Sequence, residues 1–286
     1  MASAFHLSRI KDFVQLARLD KPIGIYLLLW PTLGALWLAA HGKPSLHNII
    51  VFIAGVILMR SAGCVINDYA DRHFDGRVKR TRNRPLVTGK VTDKEALLFF
   101  TLLLLCSFLL VLTTNWLTVQ LSCIGLILAS AYPFAKRVTH LPQLILGITF
   151  SWAIPMAYTA ETNSIDLSSS LLFIANLFWI IAYDTQYAMV DRNDDVKIGI
   201  RSTAILFGRN DNIIIVILQV LSLSLLSLMG VYLHANPLFF VALFIAGILF
   251  IYQHTLTRKR QRTQCFKAFL SNHWVGAVIF LGIIFI

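Results

Sequence analysis

Charge is what this chain has least of. Only 14% of its 286 residues are Asp, Glu, Lys or Arg, against about 25% in an ordinary soluble domain. Acid is the scarcer sign, with 14 Asp and Glu against 25 Lys and Arg. Cysteine is sparse too. Cys64, Cys106, Cys123 and Cys265 stand in or beside apolar runs with no CxxC spacing, so neither zinc nor a disulfide framework is implied and they read as packing residues. The eight His show no metal-ligand spacing. P-loop, dinucleotide fingerprint and nucleophilic triad are all missing. No cleavable signal peptide is expected either, because the first residues are polar and amphipathic and the first long apolar run begins after Lys21.

What fills the chain is hydrocarbon: 57% hydrophobic residues and a mean hydropathy of +0.71. Apolar runs long enough for a ~30 Å hydrocarbon core recur. They are placed near 23–40, 49–69, 96–113, 117–134, 144–160, 171–189, 213–233, 238–256 and 269–286. The expected fold is therefore an all-α polytopic membrane protein of nine transmembrane helices, one domain over residues 1–286. Connections such as Thr114-Asn115 and His234-Ala235-Asn236 are too short for anything but antiparallel neighbours. A net charge of +11 would suggest nucleic acid in a soluble chain. Here every Lys and Arg except Lys43 and Arg60 falls on one side of these spans, which is the orientation signal of a membrane protein. That side, with the N-terminus, is expected to be cytoplasmic, and no nucleic acid or obligate protein partner is implied. The run Arg258-Lys259-Arg260-Gln261-Arg262 is assigned to orientation, and most of the six Trp to interface anchoring.

The scarce acids are concentrated. Asn67, Asp71 and Asp75 recur at i, i+4 and i+8 where the second run ends, on one helical face. Asp184, Tyr187, Asp191 and Asp195 form a second stripe at the end of the sixth run, on the same side. Two like charges about 6 Å apart repel by about 3 kcal/mol at an effective dielectric of roughly 20. A hard divalent cation such as Mg²⁺, carrying an anionic ligand, turns that repulsion into binding. The basic loop after the first stripe, with Arg77, Lys79, Arg80, Arg82, Arg84 and Lys90, reads either as surface neutralisation or as a diphosphate clamp. The second stripe favours the clamp.

Arg60 lies within about 20° of Asn67 and Asp71 around the helix, but inside the span. Burying an Arg there costs roughly 2.5–3.5 kcal/mol even on a lenient scale. Either it pairs with a buried carboxylate of the protein, or it holds a carboxylate-bearing substrate deeper than the metal. Tyr132 and Lys136 share a face at the end of the fourth run with Arg137 beside them. They are either topological or additional diphosphate donors.

Certain stretches resemble the UbiA-type intramembrane prenyltransferases: Ala17-Arg18-Leu19-Asp20-Lys21-Pro22-Ile23-Gly24 with Leu29-Trp30-Pro31-Thr32, then Asn67-Asp68-x-x-Asp71-x-x-x-Asp75, then Arg82-Asn83-Arg84-Pro85-Leu86, and Tyr183-Asp184-Thr185-x-Tyr187-Ala188-Met189-x-Asp191. The opening and the Tyr-Asp-Thr stretch most resemble the branch that prenylates 4-hydroxybenzoate in ubiquinone biosynthesis. The resemblance implies a chamber open laterally to lipid, in the bacterial inner membrane. The implied substrates are a polyprenyl diphosphate and 4-hydroxybenzoate, with Mg²⁺ as cofactor. By it, Asp71, Asp75 and Asn67, and Asp191 and Asp195, hold Mg²⁺; Arg80, Arg84, Lys136 and Arg137 hold phosphates; Arg60 holds the benzoate. Asp68, Tyr132, Asp184 and Tyr187 complete the expected substrate contacts.

Three alternatives stand beside this. A sibling enzyme would use another aromatic acceptor. A cation-coupled carrier would put its acids near the bilayer midplane on broken helices, not at span ends. A CDP-alcohol phosphotransferase needs both Asp motifs in one short Gly-containing segment, which is absent here.

Overall fold

The computed structural model describes the backbone of residues 2–76 and 80–286, and side chains within these except at 2–8, Phe74, Lys136 and Ile198. Among the described residues there is no strand. The helices are α1 (Ala2–Leu16), α2 (Ile23–Ala39), α3 (Leu46–Asp75), α4 (Asp93–Val111), α5 (Trp116–Val138), α6 (Pro142–Ser151), α7 (Ala153–Thr162), α8 (Leu167–Ile198), α9 (Thr203–Phe207), α10 (Asp211–Tyr232), α11 (Pro237–Thr257) and α12 (Arg262–Ile283).

Helix ends follow local chemistry. Thr92 and Glu95 form a capping box on α4, Asn115 caps α5 and Asp166 caps α8, each meeting backbone N–H groups that hydrocarbon would leave bare. Gly199, at φ 72°, ends α8 in the left-handed conformation that glycine adopts without strain.

Among the described residues, seven helices are long and apolar enough to cross a membrane. The expected nine long spans are not all matched. The 17 residues of α2 rise only about 25 Å, and the fifth run is broken into the ten-residue helices α6 and α7. Pro155 explains the break, because it has no N–H to offer the Ser151 carbonyl and its ring crowds that oxygen. The chain is an integral membrane protein. Its lipid face is plain on α4, where Leu98, Leu102, Leu105 and Leu109 form an exposed stripe at helical spacing.

The main core gathers α2, α8, α10, α11 and α12 around Leu36, Trp179, Tyr183, Met229, Phe239 and Val275. A smaller core of Leu16, Ala62, Val65 and Ala96 joins α1, α3 and α4. A polar knot runs through the first. Gln186 and Gln219 donate to Gln253 Oε1 at 3.1 and 2.9 Å, Gln253 donates to Ser271 at 3.1 Å, and Asn272 donates to Gln186 at 3.0 Å. Trp179 Nε1 donates to Asn272 at 2.9 Å. Buried amides in a membrane protein must find one another, and here they tie α8 to three neighbours. Of the tryptophans, Trp116 and Trp274 are exposed, whereas Trp179 is buried and Trp30 stacks on Phe280.

Candidate active site

Asp71 and Asp75 occupy the last two turns of α3, and Asp191 and Asp195 the last turns of α8. A helix C-terminus already carries about half a negative charge, so both stripes are electrostatically disfavoured until a cation joins them. Asp68, Asp71, Asp75 and Asp191 are nevertheless buried. Basic side chains from elsewhere in the chain meet them.

Arg84 Nη1 lies 2.8 Å from Asp68 Oδ1 and 2.5 Å from Asp75 Oδ2. Arg80 Nε donates to Asp191 Oδ2 at 2.9 Å, its Nη1 donates to the Tyr187 hydroxyl, and its guanidinium carbon sits 4.6 Å from the Tyr187 ring centroid. Arg137 donates to the Ala70 carbonyl, 3.9 Å from Asp71 Oδ1. The loop carrying Arg80 and Arg84 is fixed by Thr81, whose hydroxyl donates to the Asp75 carbonyl at 2.8 Å. Burial alone would depress the Arg84 guanidinium, but the Asp68 and Asp75 carboxylates hold it above its ordinary value. The loop thus bridges the ends of α3 and α8.

Among the described residues no three carboxylate, His or Cys side chains converge on one point, since guanidinium groups stand between the stripes. The donor set still fits a hard cation: carboxylate oxygens, with neither thiolate nor imidazole beside them. Arg77 and Lys79 lie outside the described residues, as does the side chain of Lys136.

Arg60 lies deeper, about 10 Å along α3 from Asn67 and about 16 Å from Asp71 at 1.5 Å per residue. Its Nη1 donates to Cys64 Sγ at 3.0 Å, its guanidinium carbon lies 5.5 Å from the Phe150 ring centroid, and its Nε is buried without a hydrogen-bond partner. Among the described residues no carboxylate forms an ion pair with it. The Asp184 carboxylate interacts with its charge from beyond ion-pair distance. Tyr132, Tyr183, Asp184 and Tyr187 lie close enough to interact with the Arg60 charge. Tyr187 packs against Phe269 with centroids 4.5 Å apart. The site has an outer layer of carboxylates and guanidinium groups and an inner layer of aromatics around the Arg60 guanidinium.

The pattern of the UbiA prenyltransferase family matches residues 28–278. The chain belongs to that family. Among its relatives, the 4-hydroxybenzoate octaprenyltransferase of Aliivibrio fischeri (strain MJ11) is 58% identical over 278 residues, covering 97% of each chain. That of Pseudomonas syringae pv. tomato is 57% identical over 96% of this chain and 93% of its own. The apo structure of a UbiA homolog from Aeropyrum pernix K1 superposes with a TM-score of 0.79 at 25% identity, over 91% of this chain and 96% of that one. A UbiA homolog from Archaeoglobus fulgidus bound to GPP and Mg²⁺ shares the fold, with a TM-score of 0.68 at 16% identity over 94% and 99% of the two chains. This family member is accordingly a membrane prenyltransferase.

Two sets of residues escaped the sequence. Arg18, in the family-like opening, has φ 59° and donates from Nη2 to both Asp68 oxygens at 3.1 and 2.9 Å. A positive φ and a 50-residue reach leave no local signature. Arg260 is the other case, where orientation is not the whole of its role. It donates from Nε and Nη2 to fully buried Asp211 at 2.8 to 3.1 Å, and Arg192 meets the same carboxylate. Arg262 pairs with Asp194 at 2.8 Å. These pairs tie the end of α8, and so Asp191, to α10 and to the approach of α12. Asp211→Ala will strip both arginines of their shared partner and destabilise the fold by roughly 3–5 kcal/mol. Arg260→Gln, which leaves Arg192 in place, will cost roughly 1.5–3 kcal/mol. Thermal unfolding in detergent measures both losses, while initial turnover of the folded Arg260→Gln protein stays within a few-fold.

Proposed function

We propose that this chain transfers a polyprenyl group from its diphosphate to the ring carbon ortho to the hydroxyl of 4-hydroxybenzoate, releasing diphosphate, as a step of ubiquinone biosynthesis. The observation that carries the reading is Arg60: an intramembrane guanidinium whose Nε is buried without a hydrogen-bond partner, and which no carboxylate among the described residues meets in an ion pair, aligned beneath an acidic stripe. The names of the relatives support the same acceptor. Residues 1–286 act as a single prenyltransferase domain.

In this reading Asp71, Asp75 and Asn67 from α3, and Asp191 and Asp195 from α8, hold Mg²⁺, the ion named with prenyl diphosphates in two Archaeoglobus fulgidus neighbours. Mg²⁺ supplies charge neutralisation that makes diphosphate a good leaving group. Arg80, Arg84, Lys136 and Arg137 take the remaining phosphate oxygens, with Arg80 and Arg84 moving from carboxylate to phosphate as the substrate binds. Asp68 and Tyr132 line the same chamber. The allylic C–O bond breaks, and the resulting cation is delocalised in a pocket whose aromatic walls include Tyr187 and Phe269. Water is kept out because it would capture that cation. Arg60 holds the acceptor carboxylate, so the ring presents its electron-rich carbon; that carbon bonds to the allylic carbon, and loss of the ring proton restores aromaticity. The lipid tail enters from the side, since a polyprenyl chain dissolves only in the bilayer. The basic side of the spans faces the cytoplasm of a bacterium, with the N-terminus on that side and the inner membrane as the site of action.

The competing reading is a sibling with a different acceptor. Membranes carrying the chain, supplied with one polyprenyl diphosphate and equal amounts of 4-hydroxybenzoate, homogentisate and dihydroxynaphthoate, should prenylate 4-hydroxybenzoate first. Preferential product from either of the others would transfer the assignment to the sibling.

A further inference from the structure

The stretch Pro22-Ile23-Gly24 has no role in the chemistry above, yet it bears directly on Arg60. Gly24 is buried in the first turn of α2. A Cβ added there would stand 2.3 Å from Arg60 Nε, 2.6 Å from Nη2 and 2.8 Å from Cζ. The guanidinium lies against the bare backbone of Gly24. The Phe150 ring, 5.5 Å from the guanidinium carbon, adds an aromatic contact, and Nη1 is tethered to Cys64. Spacing between α2 and α3 is fixed by the buried cluster of Ile25, Leu28 and Val56, onto which Phe150 and Ala153 pack. Other crowded glycines, such as Gly230 and Gly282, meet apolar side chains or backbone instead.

We propose that Gly24 is a positioning residue for the acceptor site. Its missing side chain makes room for the Nε–Nη2 edge of the Arg60 guanidinium, and so fixes the orientation in which that group meets the carboxylate of an aromatic acid. This rests on the assignment of Arg60 to the acceptor carboxylate. A methyl at position 24 meets only the far end of a flexible side chain, so the guanidinium moves and the helix stays. A lysine at position 60 would not exploit that room, because an ammonium has no plane to align.

The test is a set of folded variants, checked by detergent gel filtration, with the two Michaelis constants measured separately. Gly24→Ala should raise the constant for 4-hydroxybenzoate about tenfold and leave that for the polyprenyl diphosphate unchanged. Gly63→Ala, one turn beyond Arg60 on α3 and open around its Cβ, should change neither. In an Arg60→Ala background the added Gly24→Ala should do nothing more, because the atoms it displaces are gone. An unchanged hydroxybenzoate constant in Gly24→Ala, or a full extra factor in the double variant, overturns the proposal while the Arg60 assignment stands. An unchanged constant in Arg60→Ala overturns the Arg60 assignment itself, and the proposal with it. If Gly24→Ala fails to fold, the double variant decides: recovery of folded protein supports the contact, and continued failure overturns it.

Discussion

Asp191→Asn will fold normally and lose roughly 10²- to 10³-fold in turnover, and Asp71→Asn will lose a comparable amount, on the scale seen when one preorganised electrostatic contact to a developing charge is removed. Both side chains end helices whose dipoles oppose them, and both are buried. Nothing about packing calls for a carboxylate there. Asparagine keeps the volume and an acceptor oxygen, so Arg80 retains a hydrogen bond at position 191 and the loop stays docked. What disappears, in the proposed reading, is the unit charge that would hold Mg²⁺ against diphosphate. The defect should therefore appear in turnover and in a higher Mg²⁺ requirement, and hardly at all in thermal stability. Initial rates over a range of free Mg²⁺ measure it. Asn variants that work within a few-fold of the parent would make these stripes structural.

Arg60→Gln carries the second large effect. A desolvated, charge-assisted pair between guanidinium and carboxylate contributes roughly 1.5–3 kcal/mol, so the Michaelis constant for 4-hydroxybenzoate should rise about ten- to a hundredfold. The constant for the prenyl diphosphate should stay where it is, because Arg60 lies well below the outer layer. Arg60→Lys should recover only part of the loss, lacking the two-pronged contact. Since no carboxylate among the described residues forms an ion pair with Arg60, its removal breaks no salt bridge, and folding should survive. Equal effects on both substrates would mean that Arg60 supports the chamber as a whole and that the acceptor carboxylate is held elsewhere.

The parts of this site written in local periodicity were legible in the sequence. Asn67, Asp71 and Asp75 share a face because of 3.6-residue geometry alone, and the second stripe follows the same rule. The membrane assignment needed only hydropathy and the one-sided placement of Lys and Arg. The break between α6 and α7 was readable in principle from Pro155, but the apolar run around it is unbroken, and hydropathy registers no kink. Pairings across the fold were not legible. Arg18 with Asp68, Arg260 with Asp211, and Gly24 with Arg60 join residues far apart in the chain, and each depends on how helices dock. The basic loop illustrates both sides. Its charge predicted contact with something anionic, while only the structure pairs Arg84 with Asp68 and Asp75 and Arg80 with Asp191.

The most direct measurement follows ring-labelled 4-hydroxybenzoate into lipid. Purified protein in detergent is given a polyprenyl diphosphate and the labelled acid, first with EDTA and then with Mg²⁺ in excess. The account predicts no labelled lipid in chelator, its appearance once Mg²⁺ is restored, and the new bond at the carbon ortho to the hydroxyl. Labelled lipid formed at full rate in EDTA, or none formed under any metal condition by folded protein, would contradict it.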